Sequence, residues 1–167
     1  AGFYHPDYYA ETHPSNSFSD DFLPSGFVSI EPIKNLIFKT QGGIQYGYGE
    51  SELKELPSFI DYKFFDDPNP YTSVSNSRTL RKTITNTLEY RFLLGEAKKH
   101  SFNVLLGQES VENSSKQLDV TTFGQPSEGL TMLRHGSKDK RIEDQKTVST
   151  FNSYFGRVEY SYNTRYF

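Results

Sequence analysis

TITNTLEYRFLLGEAKKHSFNVLLGQE, residues 83 to 109, decides the fold. In its first run Ile84, Leu88, Tyr90 and Phe92 share one parity, while Thr83, Thr85, Thr87, Glu89 and Arg91 share the other. That period of two belongs to a strand with one apolar and one wet face. The second run repeats it, with Phe102, Val104 and Leu106 against Ser101, Asn103, Gly107 and Glu109, and Leu105 as the main exception. Joined by the polar connection Gly95-Glu96-Ala97-Lys98-Lys99, the two runs read as an antiparallel hairpin.

Working outward, the same alternation recurs. Val28 and Ile30 oppose Ser29 and Glu31 in a strand at about 22–32, and Pro32-Ile33-Lys34-Asn35 makes a tight turn, because Pro fixes its φ and Asn tolerates a left-handed backbone. Leu36, Phe38, Ile44, Tyr46 and Tyr48 then face away from Lys39, Gln41, Gly43, Gln45 and Gly47 in a strand at 36–48. The hairpin occupies 79–93 and 100–112, and a last strand at 147–161 sets Val148, Tyr154, Val158, Tyr160 and Tyr162 against Ser149, Ser153, Arg157, Glu159 and Ser161. Phe151 and Phe155 break its polar side. Tyr162-Asn163-Thr164-Arg165 reads as a turn and Tyr166-Phe167 as the opening of a further strand, so the chain is expected to stop within an element. Between the strands, 1–21, 49–78 and 113–146 read as long polar loops.

Composition excludes several functions. Hydrophobic residues are only 34%, low for a packed globule, yet 16% aromatics are too many for a disordered chain, and β structure with large polar loops reconciles the two. Acidic and basic residues nearly balance at a net charge of -3 without a long run of either sign, which argues against a nucleic-acid partner. With no cysteine there is no disulfide or thiolate metal site. The start Ala1-Gly2-Phe3-Tyr4 has neither an initiator Met nor an apolar signal segment and reads as that of a processed or excised piece.

Candidate sites are weak, and no catalytic, ligand-binding, metal or cofactor residue is assigned. His5 and His13 with Asp7 and Glu11 lack recognised ligand spacing, and ordinary loop histidines explain them better. Asp66-Asp67-Pro68-Asn69 lacks the spacing of a calcium loop and reads as a solvated turn. The glycines around Gly43 do not fit a phosphate-binding G-x-G-x-x-G, so close packing or strand curvature is expected of them. Arg134-His135 and Lys138-Asp139-Lys140-Arg141 read as a solvated basic loop. There is no G-x-S-x-G or H-E-x-x-H, and His100 at a strand start needs only a polar role, so the chain is not expected to be an enzyme.

The connections alternate between short and long. In an up-and-down meander this places every short turn on one rim and every long loop on the other, the asymmetry of outer-membrane barrels, whereas a soluble sandwich has no reason to sort them. Tyr90, Phe92, Leu36, Phe38, Tyr160 and Tyr162 gather toward the short-turn ends, and Tyr46 and Tyr48 toward the long-loop ends, as interfacial girdles require. Lys39, Gln41, Glu89, Arg91, Glu109, Arg157 and Glu159 would then face a wet lumen. The expected fold is an all-β antiparallel meander of about five strands forming part of a large transmembrane barrel. About five strands cannot close one, since roughly eight are needed.

Glu31-Pro32-Ile33-Lys34-Asn35-Leu36 with Phe38, Thr40, Gly43 and Tyr46 resembles a hairpin of SusC/RagA-class TonB-dependent outer-membrane transporters. Asn86, Leu88 and Tyr90, with His100, Asn103, Leu105, Gly107 and Glu109, resemble the next hairpin. Ser153-Tyr154-Phe155-Gly156-Arg157 with Tyr160-Ser161-Tyr162 and Arg165-Tyr166 is similar to that class's most recognisable barrel segment. The family often has Gly at the position of Asn35 and Asn at that of Glu159. The resemblance implies that residues 1–167 are a piece of a roughly 22-stranded barrel without its plug, set in the outer membrane of a Bacteroidota-like Gram-negative cell. It further implies import of oligosaccharides or peptides, driven by a TonB complex through the missing plug, with a SusD-like surface lipoprotein over the outer mouth. The alternative is a soluble all-β carbohydrate-binding module, which requires the apolar face to be a closed core.

Overall fold

The computed structural model describes residues 5–59, 69–95 and 99–162. A short helix, α1 (Pro6–Thr12), precedes six strands: β1 (Ser15–Phe22), β2 (Ser25–Ile33), β3 (Leu36–Glu55), β4 (Tyr71–Leu94), β5 (His100–Phe123) and β6 (Lys140–Tyr162). They form one antiparallel sheet in the order β1-β3-β4-β5-β6, with β2 also pairing β3. The meander read from the alternation is therefore present. It has six strands rather than five because β1, in what reads as the 1–21 loop, is also strand and is set off from β2 at Leu23-Pro24: Pro has no N–H to give to a ladder, although the Pro24 carbonyl still accepts the Ile44 N–H at 2.9 Å.

The strand bounds differ from those expected. β1 and α1 lie in what reads as the 1–21 loop, β3 and β4 extend into 49–78, and β5 and β6 extend into 113–146. The missed portions, such as Thr72–Arg78 on β4, where Ser73, Ser75 and Ser77 alternate with Thr72, Asn76 and Arg78, or Lys140–Lys146 on β6, have polar residues on both parities. Without apolar contrast the period of two is invisible, while the backbone ladder forms regardless of it. The turn after β2 is where it was expected. Ile33 pairs with Leu36, Asn35 takes φ 68°, and its N–H donates to the Glu31 carboxylate at 2.7 Å. The register shifts between Ile30 and Ile33, around Pro32. Glu96–Lys98 of the second turn, Asn163–Arg165 of the third, Tyr166-Phe167 and Asp66–Pro68 lie outside the described residues.

Two compact units divide the chain. The first comprises Ala1–Asp21, Gly47–Thr79 and Ser115–Thr147. There α1 is tied to the β3 terminus by Leu56 N–H donating to Thr12 O and Lys54 N–H donating to Pro14 O. His13 stacks on Tyr9 at 3.9 Å and meets Phe59 edge-on at 4.5 Å. The β5–β6 connection folds back in the same unit: Gly124 N–H donates to Pro70 O, and the buried Thr72 hydroxyl donates to Thr131 O. The second unit comprises Phe22–Tyr46, Leu80–Ser114 and Val148–Phe167, and holds β2 with the hairpin-rich portions of β3 to β6.

Candidate functional site

Cross-strand contacts in the second unit sort its side chains onto two faces. Val28 pairs with Thr40 and Ile30 with Phe38. The Thr40 hydroxyl donates to Asn86 Oδ1, and Asn86 Nδ2 donates to Gln108 Oε1, each at 2.9 Å. The rings of Tyr90, Phe92, Phe102 and Tyr160 then follow in a chain of contacts 4.9–5.3 Å apart. All of these are even-numbered, so the apolar parity of each strand lies on one face.

That face is uncovered. Ile30 is 53% exposed, Leu88 40%, Leu106 58% and Val158 68%. Among the described residues Val111, at 7% exposure, and Pro70 are the only buried residues with an aliphatic or aromatic side chain. The described residues thus lack the closed core that a soluble sandwich needs. An apolar sheet face of this extent demands an apolar neighbour.

The odd-numbered face is wet. Arg91 donates twice to Glu89 Oε1, at 2.9 and 2.7 Å, Asn103 Nδ2 donates to Glu159 at 2.9 Å, and Arg157 sits 3.3 Å from the same carboxylate. Two cations and two anions thus neutralise one another in water, where each pair contributes at most about 1 kcal/mol. Thr85 donates to Glu109, and the Lys39 ammonium lies 4.7 Å from the Phe27 ring centre. Phe155, an exception to the sequence alternation, is explained by Gly107: a Cβ there would run into the Phe155 ring, so the ring lies directly over glycine backbone on β5.

The remaining candidates are placed as follows. His13 approaches Glu55, not Glu11, at 3.4 Å and His5 approaches Asp7 at 3.4 Å, and among the described residues no three His, Asp or Glu side chains gather as a metal site would need. Close packing, expected of the β3 glycines, holds at Gly47 and Gly49, where a Cβ would meet Thr79 Oγ1 at 2.7 Å and Ser77 Oγ at 2.8 Å, and not at Gly42 or Gly43, which have ordinary room. Arg134 Nε donates to His135 Nε2 in a short 3-10 turn. His100 shares a 2.8 Å hydrogen bond with the Tyr160 hydroxyl and packs against Tyr162, a place in the aromatic chain. In the first unit, burial chiefly, then the Glu55 charge and Tyr9, raise the Tyr71 hydroxyl above its usual range. Sequence reading missed the Thr40–Asn86–Gln108 row on the apolar face, because single-strand alternation does not give the register that brings the three together.

One apolar and one charged face on an open antiparallel sheet define a class, the wall segment of a β-barrel. The particular likeness is to the RagAB peptide transporter, whose solved structure matches 95% of this chain at TM-score 0.84 and 27% identity. The RagAB peptide importer in its closed-closed and open-open states matches equally well, at TM-scores of 0.84 and 0.83 with the same identity and coverage. This chain spans 17% of the length of each matched chain. These neighbours bear out the resemblance to the SusC/RagA class. No protein-family model and no curated protein matches the chain.

Proposed function

We propose that residues 1–167 form part of the barrel wall of a TonB-dependent outer-membrane importer in a Bacteroidota-like Gram-negative cell. The observation that carries this reading is the uncovered apolar face, in register across β2 to β6 and backed by a charged face on the same strands. Lipid satisfies the first face and a water-filled lumen the second. Leu80–Leu94 on β4 and His100–Ser114 on β5 each exceed the roughly 9–11 residues that a tilted strand needs to cross a bilayer. The aromatic chain through Tyr90, Phe92, Phe102 and Tyr160 supplies an interfacial girdle at the short-turn ends.

Import in this reading is of peptides or oligosaccharides. The likeness to the RagAB peptide transporter and importer favours peptides. A SusD-like lipoprotein closes the outer mouth, and a TonB complex supplies energy through a plug that these residues do not include. The long connections lie outside the cell, where substrate and lipoprotein are met. The chain's own residues perform no chemistry in this account: they exclude lipid from the lumen and hold the lumen's polar surface in place.

Fractionation tests the reading. An antibody raised against residues 113–146 should detect a polypeptide several times larger than 19.2 kDa in the outer-membrane fraction. A soluble band near 19.2 kDa would sink the proposal in favour of the carbohydrate-binding module.

A further inference from the structure

Phe151 and Phe155 are apolar residues on the polar parity of β6, and both are exposed, at 62% and 44%. Gly107 accounts for where the Phe155 ring lies, but not for why two rings are turned to the wet face of the second unit. The neighbouring strand supplies a reason. Asn103 Nδ2 donates to Glu159 and the Phe155 ring lies over Gly107, and both contacts belong to one register of β5 against β6. That register sets Ser153 opposite Glu109 and Phe151 opposite Val111. Glu109 therefore has Phe155 on one diagonal and Phe151 on the other, about 7–8 Å away and within reach of aromatic side chains.

Glu109 is half-buried, and the Thr85 hydroxyl that donates to its Oε2 at 3.1 Å is neutral and leaves the carboxylate charge in place. In this it differs from the carboxylates around it. Glu89 and Glu159 lie against Arg91 and Arg157 on the same face, and Glu112 lies against Lys82 on the other. Arg81 shares the parity of Thr85 and stands four residues along β4 from it, yet makes no ion pair with Glu109. Among the described residues Glu109 has no cationic partner at all. Water would satisfy a carboxylate alone. Two exposed rings beside it present negative ring faces, and these attract a cation in addition.

We propose that Glu109, Phe151 and Phe155 form a subsite for the cationic side chain, an ammonium or a guanidinium, of a peptide passing along the wet face. Thr85 holds Oε2 and leaves Oε1 to accept a charge-assisted hydrogen bond from the ligand. The rings receive the apolar stem of the side chain and the rim of its charge. An anionic group would be repelled here. This subsite rests on the importer reading and deepens it, giving the wall a preference among peptides.

The test uses the intact membrane polypeptide carrying this sequence, with any partner that copurifies, in nanodiscs at low salt. Two short peptides that differ at one central position, lysine or the uncharged norleucine, are titrated in by calorimetry. The unaltered protein should bind the lysine peptide roughly tenfold more tightly, about fivefold from the ion pair and about twofold from the rings. Glu109→Gln should cut that preference to about twofold and leave the affinity for the norleucine peptide as it was, and Phe151→Leu should about halve the preference. A preference unchanged in Glu109→Gln overturns the proposal. So does a Glu109→Gln variant that loses stability in denaturant but keeps the preference, which assigns the carboxylate to an internal cation. Should Glu109→Gln fail to assemble, Phe151→Leu at its exposed site carries the test, and an unaltered preference there contradicts the proposal. Equal binding of the two peptides by the unaltered protein contradicts this subsite alone. Binding of neither, or a polypeptide absent from the outer membrane, is the failure of the importer reading, and the subsite falls with it.

Discussion

Placing an arginine at Leu106 separates a lipid-facing wall from any water-facing sheet. Leu106 lies in the middle of β5's apolar parity, is 58% exposed, and sits beside Gly156, whose added Cβ would come 3.4 Å from its Cδ2. An arginine there is not crowded by its neighbours, so packing contributes little to the cost. In hydrocarbon the guanidinium costs about 2–4 kcal/mol, on the order of 30- to 1000-fold in the folding equilibrium. In water the same exchange at an exposed site falls within about 0.5 kcal/mol. Gln41→Arg is the control: it is exposed and lies on the opposite parity, opposite Phe27. Both variants of the intact polypeptide are refolded into bilayer vesicles and titrated with denaturant, the folded fraction being read by heat-dependent gel mobility. Leu106→Arg should lower the midpoint strongly and Gln41→Arg hardly at all. Equal midpoints, or a larger loss from Gln41→Arg, would refute the assignment of faces.

Three further substitutions probe particular contacts. Gly107→Ala should cost about 1–3 kcal/mol by driving a methyl into the Phe155 ring, and should cost little in a Phe155→Ala background, as a double-mutant cycle by denaturant titration will show. Asn86→Ala removes the middle of the Thr40–Asn86–Gln108 row and should destabilise by about 1–3 kcal/mol, whereas Thr40→Val, Asn86→Leu and Gln108→Leu together should be near neutral in lipid, since no polar group is stranded. Asn35→Gly should be neutral or stabilising at φ 68°, and Asn35→Val should cost about 1–2 kcal/mol in the same titration.

The sequence discloses what alternation and turn chemistry can encode. The hairpin of β4 and β5, the Asn35 turn and the two-faced character of the sheet all follow from single-strand periodicity, because apolar contrast marks each residue's face. Where contrast vanishes, the reading shortens. Tyr71–Arg78 is strand in the structure, yet its serines, threonine and asparagine put polar side chains on both parities and it reads as loop. Register is the second thing periodicity does not contain. That Thr40, Asn86 and Gln108 meet, or that Glu109 stands between Phe151 and Phe155, depends on how many residues each turn consumes. Phe155 could have been suspected from Gly107, since an aromatic on a polar parity and a glycine on the neighbouring strand form a complementary pair once the register is known.

The central claim is that the even-numbered face of the second unit meets lipid and the odd-numbered face meets water. It is tested most directly by nitroxide labels placed one at a time at 84, 88, 106 and 158, and at 41, 85, 103 and 157, in the intact polypeptide in bilayers, with collision rates measured against oxygen and a water-soluble nickel chelate. The account predicts oxygen-dominated collisions at every even position and nickel-dominated collisions at every odd one. Nickel-dominated collisions at 88 and 106 would contradict it.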